Sequence, residues 1–98
     1  MSGFGIKIFI LLYSIADTGV IVAIGFVLIK TAPSASREVY NIVTDIDEVT
    51  EVHSLFGEYD LIIKLQAENF NNLGQIVVDK IRSIEGVEDT KTLTGVEF

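Results

Sequence analysis

The sequence predicts an α+β fold in the order βαββαβ, with a four-stranded antiparallel sheet and two helices on one face. Three observations lead there. Strand-like and helix-like stretches alternate as strand–helix–strand, twice over. The chain also repeats at an offset of 38 residues: Ile46-Asp47-Glu48-Val49-Thr50-Glu51 lies over Ile84-Glu85-Gly86-Val87-Glu88-Asp89, with Ser54 over Thr92, Leu55 over Leu93, Gly57 over Gly95, Val39 over Val77 and Val43 over Ile81. Finally, 98 residues that are 49% apolar and 21% charged suit one small globular domain with a single modest core.

Each element has its own signal. Residues 20–30 are rich in Val, Ile and Phe and run into Thr31-Ala32-Pro33, where proline ends pairing; they read as a buried strand. Ser34 is suited to cap the helix that follows, in which Val39, Ile42, Val43 and Ile46 form an apolar stripe. Arg37, Glu38, Asn41 and Asp45 lie on its polar side, and Asp47-Glu48 makes a turn. Residues 49–56 read as the second strand and 59–67 as the third, joined through Gly57-Glu58 as a short hairpin. Asn69 or Asn71 caps a second helix whose inward residues are Leu73, Ile76, Val77, Ile81 and Ile84; Gly86 ends it, with Lys80 and Arg82 near the negative end of its dipole. Residues 87–94 form the fourth strand, and Val96-Glu97-Phe98 is a tail. Two right-handed βαβ units interleave into the ferredoxin-like arrangement.

One face of such a sheet stays uncovered. Leu61, Ile63 and Leu65 suit the helix-covered face, and Ile62 shares the other with Asp60, Lys64 and Gln66. The first strand is apolar on both sides, with Ile24, Phe26 and Leu28 opposite Val27 and Ile29. A wet second apolar surface is unfavourable, so a sheet-to-sheet homodimer is expected.

Residues 1–21 form an apolar extension ahead of the domain at 22–98. Lys7 and Asp17 break it into charge-free runs shorter than the roughly 18 residues a spanning helix needs, so no membrane span is expected. The extension fits an extra strand at 6–15 turning at Asp17-Thr18-Gly19, a short apolar helix, an upstream extension of the reading frame, or a secretory leader with Ser14-Ile15-Ala16 as its small-x-small site.

Composition excludes several chemistries. There is no cysteine, hence no disulfide framework, thiol nucleophile or cysteine-held metal, and one histidine cannot build a multi-His centre. Seven Lys and Arg against fourteen Asp and Glu give a net charge of −7, which disfavours direct nucleic-acid binding. No phosphate loop, metal-spaced cluster or nucleophile elbow is present, and no cofactor is expected. The most unusual segment is Leu55-Phe56-Gly57-Glu58-Tyr59-Asp60. Backbone N–H groups near Gly57 suit a carboxylate, and Asp60 or Glu58 suits an ammonium; together they suit a zwitterion such as an amino acid. An ordinary hairpin with solvated acids explains the same residues. Thr90, Thr92 and Thr94 share one strand face, as a polar pocket wall or through β-propensity alone. His53 beside Glu51 reads as a surface or interface residue, and Asp47-Glu48 and Glu88-Asp89 as solvated turn acids. A small ferredoxin-like oxygenase or isomerase is the enzymatic alternative, with His53, Tyr40 and Tyr59 as its candidates, and a structural oligomerisation module is a third reading.

The stretch from Glu51 to Lys64, followed by Ile84-Glu85-Gly86-Val87-Glu88-Asp89-Thr90-Lys91-Thr92, resembles the effector-binding domain of the Lrp/AsnC feast/famine regulators. Gly57, Tyr59, Asp60, Gly86, Val87, Thr90 and Thr92 match the family's Gly-x-aromatic-Asp hairpin and its Pro-Gly-Val-x-x-Thr-x-Thr strand; Glu85 stands where proline is usual. The resemblance covers residues 22–96 and implies a non-enzymatic cytoplasmic protein. It implies dimers through the sheets, rings of dimers, and an amino-acid effector bound between dimers. By motif, the effector contacts would be Gly57, Glu58, Tyr59, Asp60, Thr90 and Thr92. Residues 1–20 are too short and apolar for the family's helix-turn-helix domain, so the resemblance is to its stand-alone form, acting on transcription through DNA-binding relatives.

Overall fold

A computed structural model describes residues 22–95; the N-terminal extension and the final three residues lie outside that range. The elements are β1 (Ala23–Thr31), α1 (Ser36–Thr44), β2 (Val49–Ser54), β3 (Leu61–Ala67), α2 (Phe70–Ile76) and β4 (Val87–Thr94). A wide π turn (Val77–Ile81) continues α2. The four strands form one antiparallel sheet in the order β2-β3-β1-β4, which is the expected ferredoxin-like topology.

β1 is central because it is the most apolar strand. Ala23, Val27 and Ile29 are buried with Leu61, Ile63 and Leu65 of β3 under Val39 and Val43 of α1 and Leu73, Val77 and Ile81 of α2 and its π turn. Leu73, Val77 and Ile81 are spaced by four, and in an ideal α-helix that spacing drifts about 40° around the axis at each step. The π turn, in which the Arg82 N–H bonds to the Val77 carbonyl at 2.8 Å, takes up more residues per circuit and offsets the drift.

Several local expectations are corrected. The helix cap is not Ser34, which sits at φ 71°; Ala35 occupies the cap position with no side-chain bond, and the Ser36 hydroxyl meets that of Thr31 at 2.8 Å. Ile42 is 41% exposed rather than part of the inward stripe. It lies about 60° around the helix from Val39, at the stripe's margin, and α1 is only nine residues long. Of the two possible caps on α2, Asn69 is used, its side-chain oxygen accepting the Asn72 N–H at 2.7 Å. Glu48, expected to be a solvated turn acid, accepts from Lys80 at 3.0 Å on both oxygens, and this hydrogen bond holds its carboxyl below the ordinary value.

The largest correction is the hairpin. β2 ends at Ser54 and β3 begins at Leu61, so six residues rather than two join them. The connection is closed by the Leu55 N–H donating to the Asp60 carbonyl at 2.8 Å, and the Asp60 N–H turns away from β2 to the Ile29 carbonyl at 2.9 Å. Leu55 and Phe56 are thereby released from the strand, and Phe56 is fully exposed.

Gly86 is a tight point behind the helices. Its φ of +99° is a conformation side chains disfavour, and a Cβ there would lie 3.0 Å from Ala35 Cβ. Gly86→Ala is expected to lower unfolding free energy by about 1–3 kcal/mol. Gly74→Ala, on an open helix surface, should raise it by roughly 0.5–1 kcal/mol. Urea unfolding of the two variants beside the parent checks both signs.

Candidate functional site

The hairpin motif is anchored at its Asp60 end and free at its tip. Asp60 Oδ2 accepts the backbone N–H of Thr31 at 2.7 Å, standing in for a strand carbonyl just past the last β1–β3 pair, Ile29 with Leu61. Thr31 is buried, and its hydroxyl continues the chain of bonds to Ser36 at the start of α1. Gly57 adopts φ +139° with open space around it, Glu58 is exposed, and Tyr59 is half-buried.

The threonines occupy the opposite side of β1. In register, Thr90 stands across from Ile29, Thr92 from Val27 and Thr94 from Gly25, so all three share the helix-covered face, as alternation predicts. β4 is an edge strand, so Thr92 and Thr94 remain exposed while Thr90 is half-buried. With β1 between them, Asp60 and Thr90 sit two strand spacings apart, about 10 Å. One chain therefore carries the two motifs at the same end of its sheet without joining them in one pocket.

Two depressions flank these segments. A polar one of about 290 Å³ lies between the end of the π turn and β4, lined by Arg82, Val87, Glu88, Asp89 and Thr90. A second of about 380 Å³ lies between α1 and β2, lined by Ser36, Arg37, Tyr40, Asn41 and Ser54. Sequence reasoning treated Arg82 only as a helix-end cation and Arg37 as part of a solvated face. Their proximity to β4 and β2 depends on long-range packing that no local spacing reports.

On the uncovered face, His53, Ile62, Leu28 and Lys91 line up across the sheet, as do Glu51, Lys64, Phe26 and Leu93. Glu51 accepts from His53 at 3.2 Å and lies 3.5 Å from Lys64; the histidine hydrogen bond is the main cause of its lowered carboxyl pKa. His53 thus faces the side of the sheet opposite α1 and Tyr40, so these enzymatic candidates are not brought together. Among the described residues no His, Asp and Glu cluster could hold a metal, and no helix is long and apolar enough to cross a membrane.

Against known families, residues 24–96 match the Lrp/AsnC ligand binding domain. The chain belongs to this family. An uncharacterised HTH-type transcriptional regulator of Pyrococcus horikoshii is 42% identical over 73 residues, 71% of this chain and 49% of that protein. The regulatory protein AsnC of Escherichia coli is 30% identical over 77 residues, 79% of this chain and 48% of that protein. Among solved structures, FFRP-DM1 superposes with a TM-score of 0.73 at 32% identity, covering 76% of this chain and 99% of that one. The chain spans about half the length of the curated relatives it matches. Those relatives are transcriptional regulators rather than enzymes, and the matched domain is a regulatory, ligand-binding one.

Asp60 has a structural duty that can be separated from its charge. Asp60→Asn keeps an oxygen for the Thr31 N–H but loses the charge on it, and should cost about 0.5–1 kcal/mol. Asp60→Ala strands a buried N–H and should cost roughly 1–3 kcal/mol. Equal melting temperatures for the two variants would contradict this division.

Proposed function

We propose that this chain is an amino-acid-sensing oligomerisation domain of the Lrp/AsnC type, which modulates transcription in the cytoplasm by assembling with DNA-binding members of its family. The observation that carries the reading is the match to the family's ligand binding domain across residues 24–96, with both motif segments present.

Assembly starts at the open sheet face. Phe26 is 39% and Leu93 45% exposed there, beside Ile24, Leu28 and Ile62. A second copy packed face to face removes these side chains from water at roughly 25 cal/mol per Å². Light scattering at micromolar concentration is expected to give at least a dimer, and Phe26→Asp to shift the mass toward the monomer. A monomeric parent would end this part of the proposal.

The effector lies between copies. The hairpin residues Gly57, Glu58, Tyr59 and Asp60 and the strand residues Thr90 and Thr92 are farther apart within one chain than the ammonium and carboxylate of an α-amino acid. A hairpin from one copy facing β4 of another closes that gap. Asp60 Oδ1, left over from the Thr31 bond, takes the ammonium, and hairpin N–H groups with the threonine hydroxyls take neutral and anionic acceptors. A thermal-shift screen of the twenty amino acids tests this, since a ligand at 100 times its Kd adds about 2.7 kcal/mol. In calorimetry with the best of the twenty, Asp60→Asn should lose roughly 2–5 kcal/mol of affinity on a scaffold that still folds. Full affinity in that variant would leave Asp60 with its structural role alone.

A further inference from the structure

We infer that Arg82 is a further effector-binding residue, which holds the amino acid's carboxylate in the depression between the end of α2 and β4. This rests on the amino-acid reading above and adds a residue that neither motif contains.

The first ground is charge. Arg82 lines the depression with Glu88 and Asp89, yet among the described residues it has no carboxylate within 4 Å. A guanidinium presents a planar fork of donors suited to a carboxylate, and among the described residues no carboxylate pairs with it. The second ground is position. Arg82 directly follows the π turn, and its own N–H makes the wide bond to Val77 that closes it. The third is the neighbour it meets: Thr90, the first threonine of the Thr-x-Thr strand, lines the same depression and is half-buried. An Arg fork and a threonine hydroxyl together satisfy both oxygens of a carboxylate.

A flanking acid sharpens the chemistry. Glu88 beside the depression repels a multiply charged anion such as phosphate but tolerates a ligand with zero net charge, so the depression favours a zwitterion. Its volume of about 290 Å³ accommodates a free amino acid and leaves one side open. That open side is where the hairpin of a second copy would bring Asp60 to the ammonium.

An ordinary alternative is that Arg82 only complements the negative end of the helix dipole. The two roles differ in what they select. Calorimetry on the full chain would use the amino acid that shifts melting most among the twenty, and its α-carboxamide, which keeps the ammonium and side chain but lacks the negative end. The parent should prefer the acid. Arg82→Gln should weaken the acid by roughly 10–100-fold and leave the carboxamide unchanged, and Arg82→Lys should fall between. Light scattering would check that both variants keep the parent's mass. If Arg82→Gln folds, assembles and retains the full preference for the acid, Arg82 is not the carboxylate partner, although amino-acid sensing would stand. If none of the twenty shifts the parent, the sensing reading falls and this assignment with it.

Discussion

Asp60 gathers three segments around one residue. Its carboxylate accepts the Thr31 N–H, its own N–H reaches Ile29, and its carbonyl receives Leu55. A charged acceptor on a buried backbone donor makes a stronger bond than a neutral ladder pair. It sits where the pairing of β1 with β3 ends and Thr31 would otherwise lose a partner. From that point the hydroxyls of Thr31 and Ser36 carry the connection into α1. The hairpin, the end of the central strand and the start of the first helix therefore share one fastening. Only the tip of the hairpin, with Phe56 and Gly57, projects beyond it.

The two-sided apolar character of β1 has a different effect. Helices cover one of its faces and build the core, and nothing within the described residues covers the other. The charges around that open face are unlike those of the whole chain. Lys30, Lys64 and Lys91, three of the chain's seven Lys and Arg, lie there with Glu51 and Asp89, although the net charge is −7. The acidic excess is thus borne elsewhere. Two copies can approach through this face without the repulsion their total charge suggests.

Legibility in the sequence followed the range of the interactions. The strands, their order and the buried faces of β3 and β4 were readable because period-two alternation is a local property. Leu61, Ile63 and Leu65 turned inward as read, and the threonines of β4 kept to one face. The hairpin length was misread because a side-chain carboxylate, not a turn type, sets where pairing stops. The Ser34 cap failed because that residue takes φ 71°, outside the extended conformation a capping residue needs. Glu48 and Lys80 pair across 32 positions, and Arg82 meets β4 only once the second helix is docked; neither leaves a trace in spacing. Of the candidate site, the residues of each motif were legible, but their separation across β1 was not.

The wide turn after α2 also bears on which changes of length the domain can absorb. It holds one residue more than an α-helical circuit, so it acts as a reservoir of slack. Removing a residue between Val77 and Ile81 would let the helix close with ordinary α bonds, and three α-helical steps of about 100° would carry Ile81 nearly as far around the axis as the four wider steps do now. Ile81 would stay close to the stripe it shares with Leu73, and the chain would still turn toward β4. Loss of a single residue is therefore absorbed here better than elsewhere in α2, while the projecting hairpin tip, with open space around Gly57, has room to grow.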